Sequence, residues 1–323
     1  MIRTLGKAAA LAALGAGLYA APAIALEKVN VAIGQRGLWD TLSTVFAQEN
    51  GYFKELGLDI HHIKTRGGAE TARVVMTGDM NFGMDIGVLG AISSYAKGGP
   101  VRIVSSEMVG TPDVFWYVRS DSKLKSVKDI NGAQIAYSRP GSGTNMTLLA
   151  LASFMKMTPK LVSTGGISGT RTQVMSGQVD AGWSVPPFGL DLVQKGEARI
   201  LFRGSVVKPL ADVSIRVNIV NSKWLANNRP TARKFMQGYH RALDWMYGPG
   251  KDEATKRFAK MNKLPLERAK TAVSFYNRAQ NRLTPIGNLD EAVRLAVQYK
   301  RIKKPLTAAQ KAELVQIVFD PNK

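Results

Sequence analysis

Lys28-Val29-Asn30-Val31-Ala32-Ile33, then Gly34-Gln35-Arg36-Gly37, then Asp40-Thr41-Leu42-Ser43-Thr44-Val45-Phe46, is the stretch on which the fold turns. Its first six residues carry an apolar side chain at every second position, the period of a strand. Gly34 to Gly37 break that run. Asp40 or Thr41 can then cap a helix whose apolar face holds Leu42, Val45 and Phe46 at i, i+3 and i+4. Strand, glycine-bearing loop and capped helix together form the first βα unit of an α/β layer structure.

Working outward, the same alternation recurs. Asn50-Gly51 ends the first helix and Leu58 to Ile63 reads as a strand; Glu70 to Met76 is a helix stopped by Gly78. Met80 to Met84 is a strand, Val88 to Ala96 a helix and Val101 to Val104 a strand. Strands alternating with helices of about ten residues indicate βαβ units and a mostly parallel sheet. The pattern then restarts. Val114 to Val118 is a strand, Ser126-Val127-Lys128-Asp129 a capping-box start, Gln134 to Tyr137 a strand and Thr144 to Met157 a helix. Arg171 to Met175 and Leu190 to Lys195 are helices; Asp180 to Val185, Arg199 to Phe202 and Val213 to Val220 are strands. Beyond Asn221 the reading is nearly all helical, with Pro230 and Pro265 suited to first turns and Thr307 able to cap the last helix. Two α/β halves and a helical tail predict two lobes with a crevice between them.

The opening residues read differently. Met1, Arg3 and Lys7 precede an Ala/Leu/Gly-rich run from Ala8 to Ala21, then Pro22 and Ala23-Ile24-Ala25. A basic start, a short apolar stretch and a small-x-small site are the parts of a secretory signal peptide, here residues 1–25. The run is shorter than the roughly 20 residues a membrane span requires. The chain contains no cysteine, so it has no disulfide framework and no lipid-anchor site, and a freely soluble exported protein points to a Gram-negative periplasm. Without Arg3 and Lys7 there are 42 basic against 24 acidic side chains. That excess would suggest nucleic acid as a partner, but export and the dispersal of the charges argue against it. A solvated basic surface or a bias toward anionic solutes remains.

Five stretches resemble, in order, the nitrate/sulfonate/taurine-type substrate-binding proteins of ABC transporters, a group that also includes thiamine-precursor binders. They are Gly51-Tyr52-Phe53-Lys54-Glu55-Leu56-Gly57-Leu58-Asp59, Met76-Thr77-Gly78-Asp79-Met80-Asn81-Phe82-Gly83 and the segment from Leu124 to Gly132. Pro140-Gly141-Ser142-Gly143-Thr144 and Gly177-Gln178-Val179-Asp180-Ala181-Gly182 complete the set. Asn81 stands where that family usually has Asp. The resemblance implies a two-lobed type II periplasmic binding protein fold, with a mixed, mostly parallel sheet in each lobe and a helical C-terminal tail. Lobe one would comprise 26–112 and 214–323, and lobe two 113–213, with crossing strands near Thr111 to Trp116 and Asp212 to Ile215.

Candidate ligand residues sit where strands run into loops. Ser142, Gly143 and Thr144 lie between a predicted strand and helix, where unpaired N–H groups and a partial positive charge suit an anion; the competing reading is a plain turn with Thr144 as cap. Met146 at the third glycine position excludes a dinucleotide fingerprint, and no Gly-Lys-Ser/Thr follows to make a P-loop. Gln35, Arg36 and Trp39 follow the first strand, and Arg36 could fork onto a carboxylate or sulfonate. Asp85 either binds a ligand amine or hydroxyl or caps the helix near Val88. Arg171, Trp183 and Pro187 are the matching candidates of lobe two; Thr111 at the first crossing and Ser138 beside the glycine-rich loop complete the set. His61 and His62 point to opposite faces of a strand and His240 stands alone, so neither a metal nor a cofactor is expected. No nucleophile elbow appears. The expected function is capture of a small organic anion by hinge closure and delivery to an inner-membrane ABC permease, the binder being a monomer. A neutral heterocycle such as a pyrimidine is the alternative ligand; a pyrimidine synthase on the same fold, or a sensor's binding subunit, is the alternative class.

Overall fold

Alternation in the opening stretch becomes burial. In strand β1 (Glu27–Ile33), Val29, Val31, Ala32 and Ile33 are all fully buried, as expected of a central strand covered on both faces. The computed structural model describes residues 26–323; the segment read as a signal peptide lies outside the described residues. After β1 come α1 (Ser43–Glu49), α2 (Tyr52–Glu55), β2 (Leu58–Lys64), α3 (Gly68–Thr77), β3 (Phe82–Gly87), α4 (Val88–Ala96) and β4 (Val101–Val109). The second half holds β5 (Phe115–Arg119), β6 (Gln134–Tyr137), α5 (Gly143–Met155), β7 (Lys160–Ser163), α6 (Ile167–Met175), β8 (Gly182–Ser184), α7 (Leu190–Gln194) and β9 (Ala198–Arg203). It is followed by β10 (Ser214–Asn221), α8 (Ser222–Asn227), α9 (Arg229–Tyr247), α10 (Lys251–Asn262), α11 (Leu266–Val273), α12 (Leu289–Gln298) and α13 (Ala308–Leu314).

The strands sort into two matching sheets. The first has the order β2-β1-β3-β10-β4, with β1 parallel to β2 and β3, and β10 antiparallel to both its neighbours. In the second, β5 is antiparallel to β8 and β9, β6 is parallel to β7, and a parallel bridge from Ile135 to Ala181 joins the two pieces. The spatial order is therefore β7-β6-β8-β5-β9. In each sheet four strands run one way and the fourth position is filled by the reversed strand adjoining the other half of the chain. These two connecting strands, β5 and β10, are almost entirely buried.

Aromatic packing ties the tail to the first sheet. Phe82 of β3 lies 4.3 Å from Phe235 of α9, whose other neighbour Phe53 stacks at 5.2 Å. Strand β4 would be an open edge, but the tail covers it: Asn281 bridges Met108, Val315 bridges Ile103, and Gln316 N–H donates to the Ile103 carbonyl at 2.8 Å. The capping boxes at Ser126 and Thr307 both form, each side chain accepting from the backbone while the third residue answers.

Candidate functional site

Four helices begin at one cavity. Gly67 and Gly68 (start of α3), Gly87 (start of α4), Ser142 and Gly143 (start of α5) and Gly165 and Gly166 (start of α6) all line a space of about 460 Å³ between the sheets. The first N–H groups of a helix lack intrahelical partners, and each helix start carries roughly half a positive charge. At α3, α4 and α6 the residue before the helix is glycine and no side chain caps the end, so the donors remain available. Ser142 alone caps its helix, accepting from Asn145 N–H at 3.2 Å. Such a constellation recognises an anionic group.

Two of these helix starts are built alike, one in each half. Thr65 and Thr71 share a hydroxyl hydrogen bond of 2.6 Å, and Thr71 donates to the Gly67 carbonyl. Thr164 and Thr170 share one of 2.6 Å, and Thr170 donates to the Gly166 carbonyl. Each threonine pair ties the loop leaving β2 or β7 to the first turn of the next helix and fixes a Gly-Gly pair against the cavity.

Cationic side chains come from distant positions. Arg66, Lys97, Arg139 and Arg301 line the same cavity. Arg301, from the loop after α12, lies over Gly141, where φ is +83° and an added Cβ would meet the guanidinium at 2.9–3.1 Å. Glycine is required there both for that backbone angle and for that approach. Arg301 and Trp183 both line the cavity, and Arg301 Nε and the Trp183 indole N–H are buried without a hydrogen-bond partner among the described residues. Across the cavity Gly87 abuts the α5 loop so closely that a Cβ on it would lie 3.2 Å from the Gly141 carbonyl oxygen.

The floor is acidic. Asp85, at φ 63°, lines the cavity and is 9% exposed. Its Oδ1 lies 3.2 Å from Arg216 Nε, while Arg216 Nη2 reaches Asp113 at 2.7 Å and Asp40 at 3.2 Å. Glu107, buried beside them, has no hydrogen-bond partner for either oxygen among the described residues. Three carboxyl groups thus share one guanidinium out of water, and a fourth, Glu107, is buried beside them. Burial, opposed by Arg216, raises Asp40 to about 6 and carries Asp85 and Glu107 well above the usual carboxylate range. Asp40, Asp85 and Glu107 bring oxygens within 4.8 Å of one another, near enough to share a cation, although Arg216 already contacts two of the three.

Of the residues chosen from sequence, the cavity gathers Gln35, Asp85, Ser138, Ser142, Gly143, Thr144 and Trp183. Thr144 is not the helix cap; its hydroxyl accepts from Ser138 N–H at 2.9 Å and holds the loop's shape. Nor does Asp85 cap α4, which starts after Gly87 with no side-chain cap. Neither Asp40 nor Thr41 is a cap: Asp40 is fully buried against Arg216, and the Thr41 hydroxyl donates to the Leu38 carbonyl at 3.1 Å. Arg36 is exposed and outside the lining. Trp39 is fully buried, edge-on to Tyr247 and Phe258, because its indole fills the space under the tail helices. Thr111 is buried against Gly204 at the crossing. Arg171 and Pro187 line a separate cavity of about 230 Å³, where Arg171 is paired with Asp191 at 2.8 Å. Arg66, Arg139, Arg216 and Arg301 were not singled out from sequence, since no local motif marks an arginine brought in by the fold.

The fold agrees with known proteins. An alkanesulfonate-binding protein, SsuA from Xanthomonas axonopodis pv. citri bound to MOPS, superposes with a TM-score of 0.74 at 16% identity, covering 90% of this chain and 98% of that one. The periplasmic aliphatic sulphonate binding protein SsuA from Escherichia coli gives 0.72 at 15%, covering 89% and 97%. Both have the periplasmic binding protein fold, which is therefore the fold of this chain. A curated relative, 4-amino-5-hydroxymethyl-2-methylpyrimidine phosphate synthase THI13 of Saccharomyces cerevisiae, is 21% identical over 216 residues; the match takes in 62% of this chain and spans 61% of the relative's length. No helix among the described residues is long and apolar enough to cross a membrane. Residues 40–251 match the profile of the NMT1/THI5-like family, and with two-thirds of its length inside that match the chain belongs to this family.

Proposed function

We propose that the protein is an exported solute-binding component of an ABC importer, which captures a small organic anion of the sulfonate or carboxylate type between two lobes. Lobe one is taken as 26–112 with 214–323, and lobe two as 113–213. The observation that carries this reading is the meeting of four helix starts with Arg66, Arg139 and Arg301 around one small cavity. Pre-aimed N–H donors and guanidinium forks stabilise an anion without reorganising, and the volume suits a small molecule. Helix starts from both halves contribute, so binding energy draws the lobes together and excludes water. Permease recognition would read the closed form; the likeness to sulfonate-binding proteins and the leader-like residues 1–25 support a periplasmic carrier.

Calorimetric titration with alkanesulfonates, carboxylates, nitrate and pyrimidines tests the anion reading. We expect an organic anion to bind, and Arg139→Ala and Arg301→Ala each to weaken it at least tenfold with the fold intact. Tight binding by neutral pyrimidines alone, unaffected by both substitutions, would refute it. A second reading, a pyrimidine binder or a pyrimidine synthase, is favoured by the likeness to THI13 and by Trp183 in the lining. Formation of a pyrimidine product by the purified protein would establish the synthase.

A further inference from the structure

We propose a second binding site, separate from the main cavity, in which a small oxyanion is clasped between Arg171 of the second half of the chain and Arg268 of the tail. The two arginines line the smaller cavity of about 230 Å³. Its walls come from both parts of the molecule. Tyr117, Ser168, Arg171 and Asp191 stand on one side; Asn262 of α10 and Arg268 of α11 stand on the other. Strand β8 is the partition between the two cavities. Trp183 and Val185 line the main space, and Ser184 between them lines the second, because successive side chains of an extended chain point to opposite faces. Helix α6 is shared in the same way: Gly165 and Gly166 at its start line the main cavity, while Ser168 and Arg171 line the smaller one.

Charge decides what the smaller cavity receives. Arg171 Nη1 donates to Asp191 Oδ2 at 2.8 Å, so those two groups neutralise each other. Arg268 instead spends its Nε on a neutral partner, Gln194 Oε1, at 2.7 Å. The lining therefore holds two guanidinium groups and one carboxylate, and one positive charge is left over. Two planar forks, one from each side, match the paired oxygens of a phosphate or sulfate. The remaining titratable group of the lining is Tyr117; burial pushes its phenol up to about 12, so it keeps its proton and can donate. The two parts of the molecule already touch around this space. The Tyr276 hydroxyl donates to the Pro186 carbonyl at 3.2 Å, and a Cβ on Gly37 would lie 3.1 Å from Phe188 Cζ. An ion held by both arginines stabilises this arrangement over one in which the halves part, since only the first presents both forks together. The site thus links the setting of the halves to an ion other than the solute of the main cavity.

Inorganic phosphate at pH 7 is the probe, with chloride at matched ionic strength as its reference, titrated into the isotope-labelled protein and followed by amide NMR. We expect the amides of Ser168, Asn262 and Arg268 to shift along one saturating curve. Arg268→Ala should weaken that curve about tenfold, the loss of one charge-assisted contact, while Arg301→Ala at the main cavity should leave it within about twofold. Arg268 is only partly buried, so its removal leaves the core intact. Scattering from the same samples should give a smaller radius of gyration in phosphate than in chloride, and no difference in Arg268→Ala. Shifts confined to the amides of 141–144, equal shifts in chloride, or a curve unaltered in Arg268→Ala would each overturn the second site and leave the anion reading of the main cavity standing. A saturating curve with an unchanged radius would overturn the clasp.

Discussion

Asp40 shows how one residue can be misjudged from its neighbours in sequence. An aspartate two positions before an apolar helical stripe is an ordinary cap, yet here its side chain is fully buried and reaches Arg216, 176 positions later in the chain. Burial lifts its pKa to about 6, with Arg216 pulling the other way. An acid that holds its proton more tightly folded than unfolded lends stability that is complete below about pH 4 and is lost as pH rises through 6. Asp85 and Glu107, raised further, act in the same direction. The thermal midpoint is therefore expected to fall between pH 5 and pH 7.5, and Asp40→Asn, neutral throughout, to flatten that fall. The two-unit displacement sets a ceiling of about 3 kcal/mol on the change. Melting curves across this range check it; a slope unchanged in the variant would remove Asp40 from the account.

Elements were legible where they carry their own periodicity. The opening βα unit apart from its cap, the glycine-rich turn at 140–144, the capping box at Ser126 and the cap at Thr307 follow from side chains that make local contacts. Strand β7 was not legible: its four residues, Lys160-Leu161-Val162-Ser163, are exposed at both ends and only partly buried between, so no alternation marks it. The twin threonine–glycine turns escaped notice because the shared positions are few and lie 99 residues apart. Of the cleft, the loop beside α5 and Asp85 could be read; its arginines could not, because long charged side chains look like solvated surface until the fold turns them inward. The meeting of α4 and α5 gives a prediction at this scale. A methyl group on Gly87 would press on the Gly141–Gly143 backbone at 3.2–3.5 Å and push the two helix starts apart. Gly87→Ala is expected to weaken anion binding about tenfold, roughly 1.4 kcal/mol, with little change in thermal midpoint. Scattering in solution should show a larger radius of gyration with ligand than for the unsubstituted protein; an identical radius and affinity would mean that the contact does not limit closure.

For the whole molecule, β5 and β10 govern behaviour, since each fills the reversed position of its sheet beside the other half of the chain. Arg216 of β10 and Asp113, just before β5, join at 2.7 Å, tying the two crossings side by side. In the closure proposed above, a hinge built on these paired strands would let the halves rotate while keeping the two sides of the cleft in register. The tail has a separate task, seen at the rim of the first sheet. Residues 280–283 and 315–316 lie along β4 and take up its outward-facing hydrogen bonds. Stripped of them, β4 would offer a ready template for a stranger's strand. A chain shortened at Lys304 keeps 280–283 but loses 315–316, so the Ile103 end of β4 is laid bare; we expect it to form multimers by light scattering at concentrations where the intact protein does not. On this account the thin hem is what would keep neighbouring copies from stitching together.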